Sequence, residues 1–313
     1  MSEITLLVSE RERLWDYHPI NTESAILPTR PVQKAVALVL AASRKARASL
    51  AFWADPLSGK SSCLRMIEAT VIDRVKGCGV LTLEAVEDQQ TAEGRLLVQI
   101  LKSVRYAHKI DSTLAGKRDQ VNRALNALSG EARHLFILID EGQEFSNSEF
   151  AWLKAVINGL ARDSVKVTTV IFGQRELLDR RSEIYQNGRS DLGDRFMKKL
   201  IEFKRCRGAE ELRSILEAVD DKSEFPTGSK WTYTQLLFPR AHAGGFRFKT
   251  ISGDVWSALQ QKVPPKVLAK GVSMEVIAAT LASVCRACKD SDAAGMSIPA
   301  SVVKAAVKVS LDD

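Results

Sequence analysis

Short, continuously apolar runs alternate along the chain with longer segments in which apolar residues recur every three or four positions. Four runs read as buried strands: Ser49 to Ala54, Gly79 to Glu84, Leu135 to Ile139 and Val165 to Phe172. Between them, the spacing of Val32, Ala35, Val36, Val39 and Leu40 predicts a helix over Pro31 to Ala46. Helices also follow over Lys60 to Val75, over Ser148 to Arg162 and over 92–108, where Leu96, Leu97, Ile100, Leu101 and Val104 share a face. The stretch between this last helix and Leu135 is polar and carries no clear element.

Continuous apolar strands separated by helices are the mark of a parallel sheet covered on both faces. The fold class is therefore α/β, with a parallel-sheet core over residues 46–205. Residues 1–45 form an N-terminal extension with a helix. From Glu210 onward helical patterns dominate, apart from a loop-rich interval from Asp220 to Thr250, so residues 206–313 read as a smaller, mainly helical C-terminal domain.

Composition narrows the class. With 45% hydrophobic and 27% charged residues in 313, the chain can bury a sizeable core and is not a disordered polymer. Cys63, Cys78, Cys206, Cys285 and Cys288 are odd in number and irregularly spaced, which argues against a secreted disulfide framework. Cys285 and Cys288 have the spacing of half a zinc site, but no second pair follows and the segment is helical, so they read as structural. The first residues lack the layout of a signal peptide, and no run of apolar residues is long enough to span a bilayer. A cytoplasmic location is expected. The net charge of +7 favours a polyanionic partner without demanding one.

The chemistry concentrates in two places. The segment Ala54, Asp55, Pro56, Leu57, Ser58, Gly59, Lys60, Ser61, Ser62 matches the phosphate-loop pattern G-x-x-x-x-G-K-[ST] at every fixed position but the first, where alanine replaces glycine. In such a loop, backbone N–H groups and a helix N-terminus wrap phosphates, the lysine reaches the outer phosphates and the serine hydroxyl ligates magnesium. A strand directly before it and a helix directly after supply the context that the tripeptide alone lacks. Alanine at position 54 raises the expectation of a loop that closes less well. Downstream, Leu135 to Ile139 ends in Asp140 and Glu141. A carboxylate ending a buried strand can hold magnesium, and a second beside it can orient or deprotonate the attacking water. The cofactors implied are ATP and Mg2+.

The run Asp140-Glu-Gly-Gln-Glu144, followed by a strand that leads into Gly173-Gln174-Arg-Glu-Leu177, resembles the AAA+ branch containing the ExeA-type ATPases and the transposition ATPases TniB, TnsC and Mu B. The resemblance spans about residues 30–260 and implies a helical lid. It makes Gln174 the sensor of the γ-phosphate. It makes Arg189 and Arg195 the arginines that reach a neighbouring subunit's nucleotide, and Arg247, in Gly244-Gly-Phe-Arg247, the lid arginine. Each arginine also reads as an ordinary surface residue.

The same resemblance implies contacts to duplex DNA from the core, for which Lys102, Arg105, Lys109, Lys117, Arg118 and Arg123 are the basic cluster. The alternative is a solvated helix face and a charged loop. The resulting expectation is an ATP-dependent regulator of transposition that forms a homo-oligomeric ring or helical filament on DNA and recruits or activates a transposase. Two readings stay open beside it: an ATPase acting on a protein partner, and a nucleotide-gated binding module with little turnover.

Overall fold

Five strands form one sheet: β1 (Arg47–Trp53), β2 (Gly79–Glu84), β3 (His134–Asp140), β4 (Lys166–Gly173) and β5 (Leu200–Glu202). The computed structural model describes residues 3–87 and 91–312. The strands lie in the order β2-β3-β4-β1-β5, and every pairing is parallel. β3 has a partner on both edges and helices on both faces, which is why Leu135 to Ile139 are fully buried and why the sequence there shows no alternation.

Because all strands run the same way, their carboxyl ends share one edge. Trp53 of β1 pairs with Gly173 of β4, and Ile139 of β3 pairs with Ile171. The chain thus leaves β1 toward the phosphate loop on the edge where Asp140 ends β3 and Gln174 follows β4. Parallel α/β sheets bind ligands outside this edge.

The chain divides into two compact units: Lys34–Pro56 with Cys63–Phe203, and Met1–Gln33 with Leu57–Ser62 and Lys204–Asp313. The first holds the sheet. Its core joins Leu81 and Leu83 of β2 and Leu135, Ile137 and Ile139 of β3 to Leu96, Leu97, Ile100 and Leu101 of one helix and Phe150, Leu153 and Ile157 of another. The second is built of helices. Trp15, Leu216, Phe238, Phe248, Leu259 and Leu281 belong to its core, where the free cysteines Cys285 and Cys288 are also buried. Arg11, on the helix Glu3–Leu14, is buried there, donating to the carbonyls of Leu237 (2.6 Å) and Lys289 and lying 4.6 Å over the Trp15 ring.

Three elements depart from expectation. The helix expected over 92–108 ends at Ser103, since Arg105 takes a left-handed conformation (φ 51°). The polar stretch after it contains a helix, Leu114–Leu128, capped by the Thr113 hydroxyl and burying only Val121 and Leu125 among polar neighbours. A further helix, Glu3–Leu14, occupies the N-terminal extension, and its charged run SERER obscures the apolar positions that pack inward. Among the described residues no helix is long and apolar enough to cross a membrane.

Candidate functional site

Ala54 is fully buried, and its N–H donates to the Gly173 carbonyl at 3.0 Å, extending the β1–β4 ladder by one residue. Its φ is negative, so alanine enters this position without backbone strain. Backbone strain at position 54 therefore gives no reason for the loop to close less well. Left-handed geometry falls instead on Leu57 (φ 59°) and Gly59 (φ 88°). Gly59 is the position that needs glycine; a β-carbon there costs about 1 kcal/mol in backbone strain.

Lys60 is the first residue of the helix Lys60–Arg74 and is buried, whereas Ser61 is exposed and Ser62 half-buried. Asp55 is half-buried, and Pro56 and Leu57 are exposed. Ser58 is buried, with no hydrogen-bond partner for its hydroxyl among the described residues. Within the helical unit the loop is anchored by an element that the sequence does not announce: the Met274 N–H, at the start of the helix Met274–Ala287, donates to the Leu57 carbonyl at 2.9 Å.

At the end of β3 the turn is tight. The Asp140 carboxylate accepts from the Glu141 N–H at 3.0 Å, and Glu141 itself is left-handed (φ 51°). A non-glycine residue held there stores on the order of 1 kcal/mol of strain. Gly142 lies so close to β4 that a β-carbon would sit 2.4 Å from the Ile171 Cγ2. Gln143 is buried under the same strand. Ser146 and Glu149 then close a reciprocal cap on the helix Asn147–Arg162, which satisfies the buried Glu149 carboxylate.

Glu141 and Gln174 meet: Gln174 Nε2 donates to Glu141 Oε2 at 3.2 Å, and Gln143 Nε2 donates to the same oxygen at 2.6 Å. The two motifs that the sequence separates by some thirty positions form one hydrogen-bonded group. Asp140 presents a half-buried carboxylate beside it, an oxygen donor of the kind a hard divalent cation takes.

The arginines differ in state. Arg189 is paired with Asp191 at 3.0 Å, and Lys154 reaches the same carboxylate at 2.7 Å, which holds Asp191 well below the usual carboxylate range. Arg195 has a buried Nε with no partner among the described residues, and burial together with the nearby Arg47 charge lowers its pKa. Arg247 lies in the helical unit, donating to the carbonyls of His242 (3.0 Å) and Phe246 (2.6 Å). The residues after it are pinned by the buried Asp220, which accepts from the N–H groups of Phe248 (2.8 Å) and Lys249 (3.0 Å).

The basic residues between β2 and β3 also separate. Lys102 and Lys117 line an open groove of about 600 Å³ together with Arg95, Gln99 and Ser103. Arg105 and Lys109 are exposed on the connection between the two helices. Arg118 makes a two-pronged ion pair with Glu93 (2.7 and 2.6 Å), and Arg123 pairs with Asp119 at 2.8 Å. Arg95 has no place in the basic cluster read from the sequence, because only the fold sets it across from Lys117.

The strand order and the loop at the end of β1 define a P-loop AAA+ fold with a helical C-terminal region. Residues 43–180 match the family AAA_22, described as an AAA domain. Among solved structures, the chain is similar to the ORC2 protein of Aeropyrum pernix in ADPNP and ADP complexes, with a TM-score of 0.64 at 13% identity over 93% of this chain and 71% of that one. It is similar to domain III of the replication initiation protein DnaA of Thermotoga maritima (TM-score 0.50, 14% identity, 94% of this chain, 98% of that one). It is also similar to the ORC1 protein of Aeropyrum pernix in complex with DNA (TM-score 0.51, 11% identity, 93% of this chain, 69% of that one). At these identities the likeness is one of fold. No curated protein matches the chain by sequence.

Proposed function

We propose that the chain is a magnesium-dependent ATPase that assembles on duplex DNA when ATP is bound and releases it after hydrolysis. The observation that carries this reading is the Glu141 carboxylate, held by Gln143 and Gln174 beside Asp140 on the sheet edge from which the phosphate loop departs. In this reading the loop amides and Lys60 hold the phosphates, and Ser61 and Asp140 hold Mg2+. The metal, when bound, neutralises charge on the β- and γ-phosphate oxygens. Glu141 accepts a proton from the attacking water as its oxygen bonds to the γ-phosphorus, and the bond to the ADP oxygen breaks. Gln174 contacts the γ-phosphate and, through its bond to Glu141, reports its loss.

Arg195, half-buried and with an Nε that has no hydrogen-bond partner among the described residues, is the better placed of the two core arginines to meet phosphate on a neighbouring subunit, and Arg247 reads nucleotide from the lid. A nucleotide held between heterologous faces makes assembly depend on ATP, and such faces build rings or filaments. The groove of Arg95, Lys102 and Lys117, with Arg105 and Lys109, supplies the phosphate contacts to DNA. The structures of this fold in complex with ADPNP, with ADP and with DNA support a nucleotide-dependent, DNA-associated role. The motif resemblance around Asp140 and Gln174 adds the finer reading, a regulator of transposition with a transposase as partner.

Particle size and ATPase rate, measured with ATP or a non-hydrolysable analogue and with or without duplex DNA across salt concentrations, test this. ATP- and DNA-dependent assemblies that are lost in Lys60→Ala support the reading. ATP binding that DNA leaves unchanged in size and rate at every salt concentration overturns it and points to a protein partner.

A further inference from the structure

We propose that Gln143 is a positioning residue of the hydrolytic site, fixing the Glu141 carboxylate and the Gln174 main chain in one register so that base and sensor move together. The inference rests on the ATPase reading above and adds to it a residue that touches neither the phosphates nor the water. Gln143 is 7% exposed, and its whole amide is engaged. Nε2 donates to Glu141 Oε2 at 2.6 Å and to Glu144 Oε1 at 3.0 Å, while Oε1 accepts the Gln174 N–H at 2.8 Å.

A primary amide has two N–H donors and a carbonyl acceptor, and this site uses both functions at once. A carboxylate of the same length could accept from Gln174 but could not donate to Glu141, and it would set a second negative charge beside the first. An apolar side chain could do neither. The surroundings are shaped to admit the amide. A β-carbon on Gly173 would lie 2.7 Å from Gln143 Oε1, and one on Gly142 would strike Ile171. The backbone is held as well: Arg180 donates through Nε and Nη2 to the Gln143 carbonyl, each at 3.3 Å, and through Nη1 to Glu183 at 2.6 Å. The turn after β3 is thereby tied both to the residue following β4 and to the helix Glu176–Gln186.

If Gln143 only glued the turn to the sheet, its loss would lower stability and leave the chemistry of the folded protein intact. The test measures kcat, KM, nucleotide Kd and the pH–rate profile of the full chain as wild type and as Glu141→Gln, Gln143→Met, Gln143→Glu, Gln174→Ala and Gly173→Ala. In Gln143→Met, kcat falls by about tenfold or more while nucleotide Kd stays within about twofold, because only transition-state interactions are lost. Gln143→Glu moves the acid limb of the profile to higher pH, because paired carboxylates resist joint ionisation. The losses in Gln143→Met and Gln174→Ala are not additive in the double variant. Should Gln143→Met fail to fold, Gly173→Ala, which displaces the amide without altering it, must show the same selective loss of kcat.

Hydrolysis that depends on Glu141 but proceeds at the wild-type kcat in Gln143→Met, or in Gly173→Ala where that variant stands in, overturns the positioning role and leaves the ATPase reading intact. Absence of Glu141-dependent hydrolysis in the wild type overturns both.

Discussion

Gln174 Nε2 reaches Glu141 Oε2 across 3.2 Å, joining the residue after β4 to the residue after β3. Neither β-strand pairing nor core packing requires this contact. It aims a carboxylate whose own backbone is left-handed. Replacing Gln174 by alanine is predicted to lower kcat about tenfold or more while ATP still binds, since an interaction made in the transition state is removed. Steady-state kinetics beside a nucleotide titration check this.

The turn between them admits no added bulk. Gly142→Ala places a methyl group 2.4 Å from the Ile171 Cγ2, an atom of a buried strand that cannot swing aside. The predicted outcome is a loss of about 1 to 3 kcal/mol in stability, in the range of overpacked cores. Thermal and denaturant unfolding measure it.

Much of this arrangement is legible in the sequence. The four apolar runs, the phosphate loop and the Asp140–Glu141 pair are all written in consecutive residues, because a parallel strand buried on both faces has no polar positions to hide it. What is not legible depends on residues far apart in the chain. Gln143 reads as an ordinary turn residue until Gly173 and Gln174 are brought over it. Met274 gains meaning only when its N–H meets Leu57. The pairing of Arg118 with Glu93 shows only when the helix Leu114–Leu128 sets the two together. That helix was itself hidden, since two buried residues in fifteen give too weak a stripe to mark a face.

The two core arginines are predicted to separate. Among the described residues the buried Arg195 Nε has no hydrogen-bond partner, whereas Arg189 is paired with Asp191. Arg195→Ala is predicted to abolish ATP-dependent assembly and, with it, to lower the DNA-dependent ATPase rate by about a thousandfold or more, as loss of an arginine supplied across an interface does. Arg189→Ala leaves assembly in place. Sedimentation of both variants with ATP and DNA distinguishes them.

Acid sensitivity follows from His18, which burial between the Phe225 and Tyr233 rings pushes down to about 3. Unfolded, this group takes up a proton near its ordinary value of 6.5, so the unfolded state binds more protons between that pH and about 3. Stability is present above pH 6.5 and lost as pH falls through that window, at about 1.4 kcal/mol per pH unit for the one group. Unfolding measured from pH 7 to pH 5 is predicted to steepen toward this slope as pH falls below 6.5, and to do so less in His18→Gln.

The most direct test of the central claim is the single-turnover rate of ATP hydrolysis in the presence of magnesium, compared between the wild type, Lys60→Ala and Glu141→Gln. The account predicts measurable hydrolysis in the wild type. It predicts loss of nucleotide binding in Lys60→Ala, and in Glu141→Gln retained binding with a rate lower by about a hundredfold or more, the contribution of a positioned general base. A wild type that binds ATP without hydrolysing it, or a Glu141→Gln variant as fast as the wild type, contradicts it.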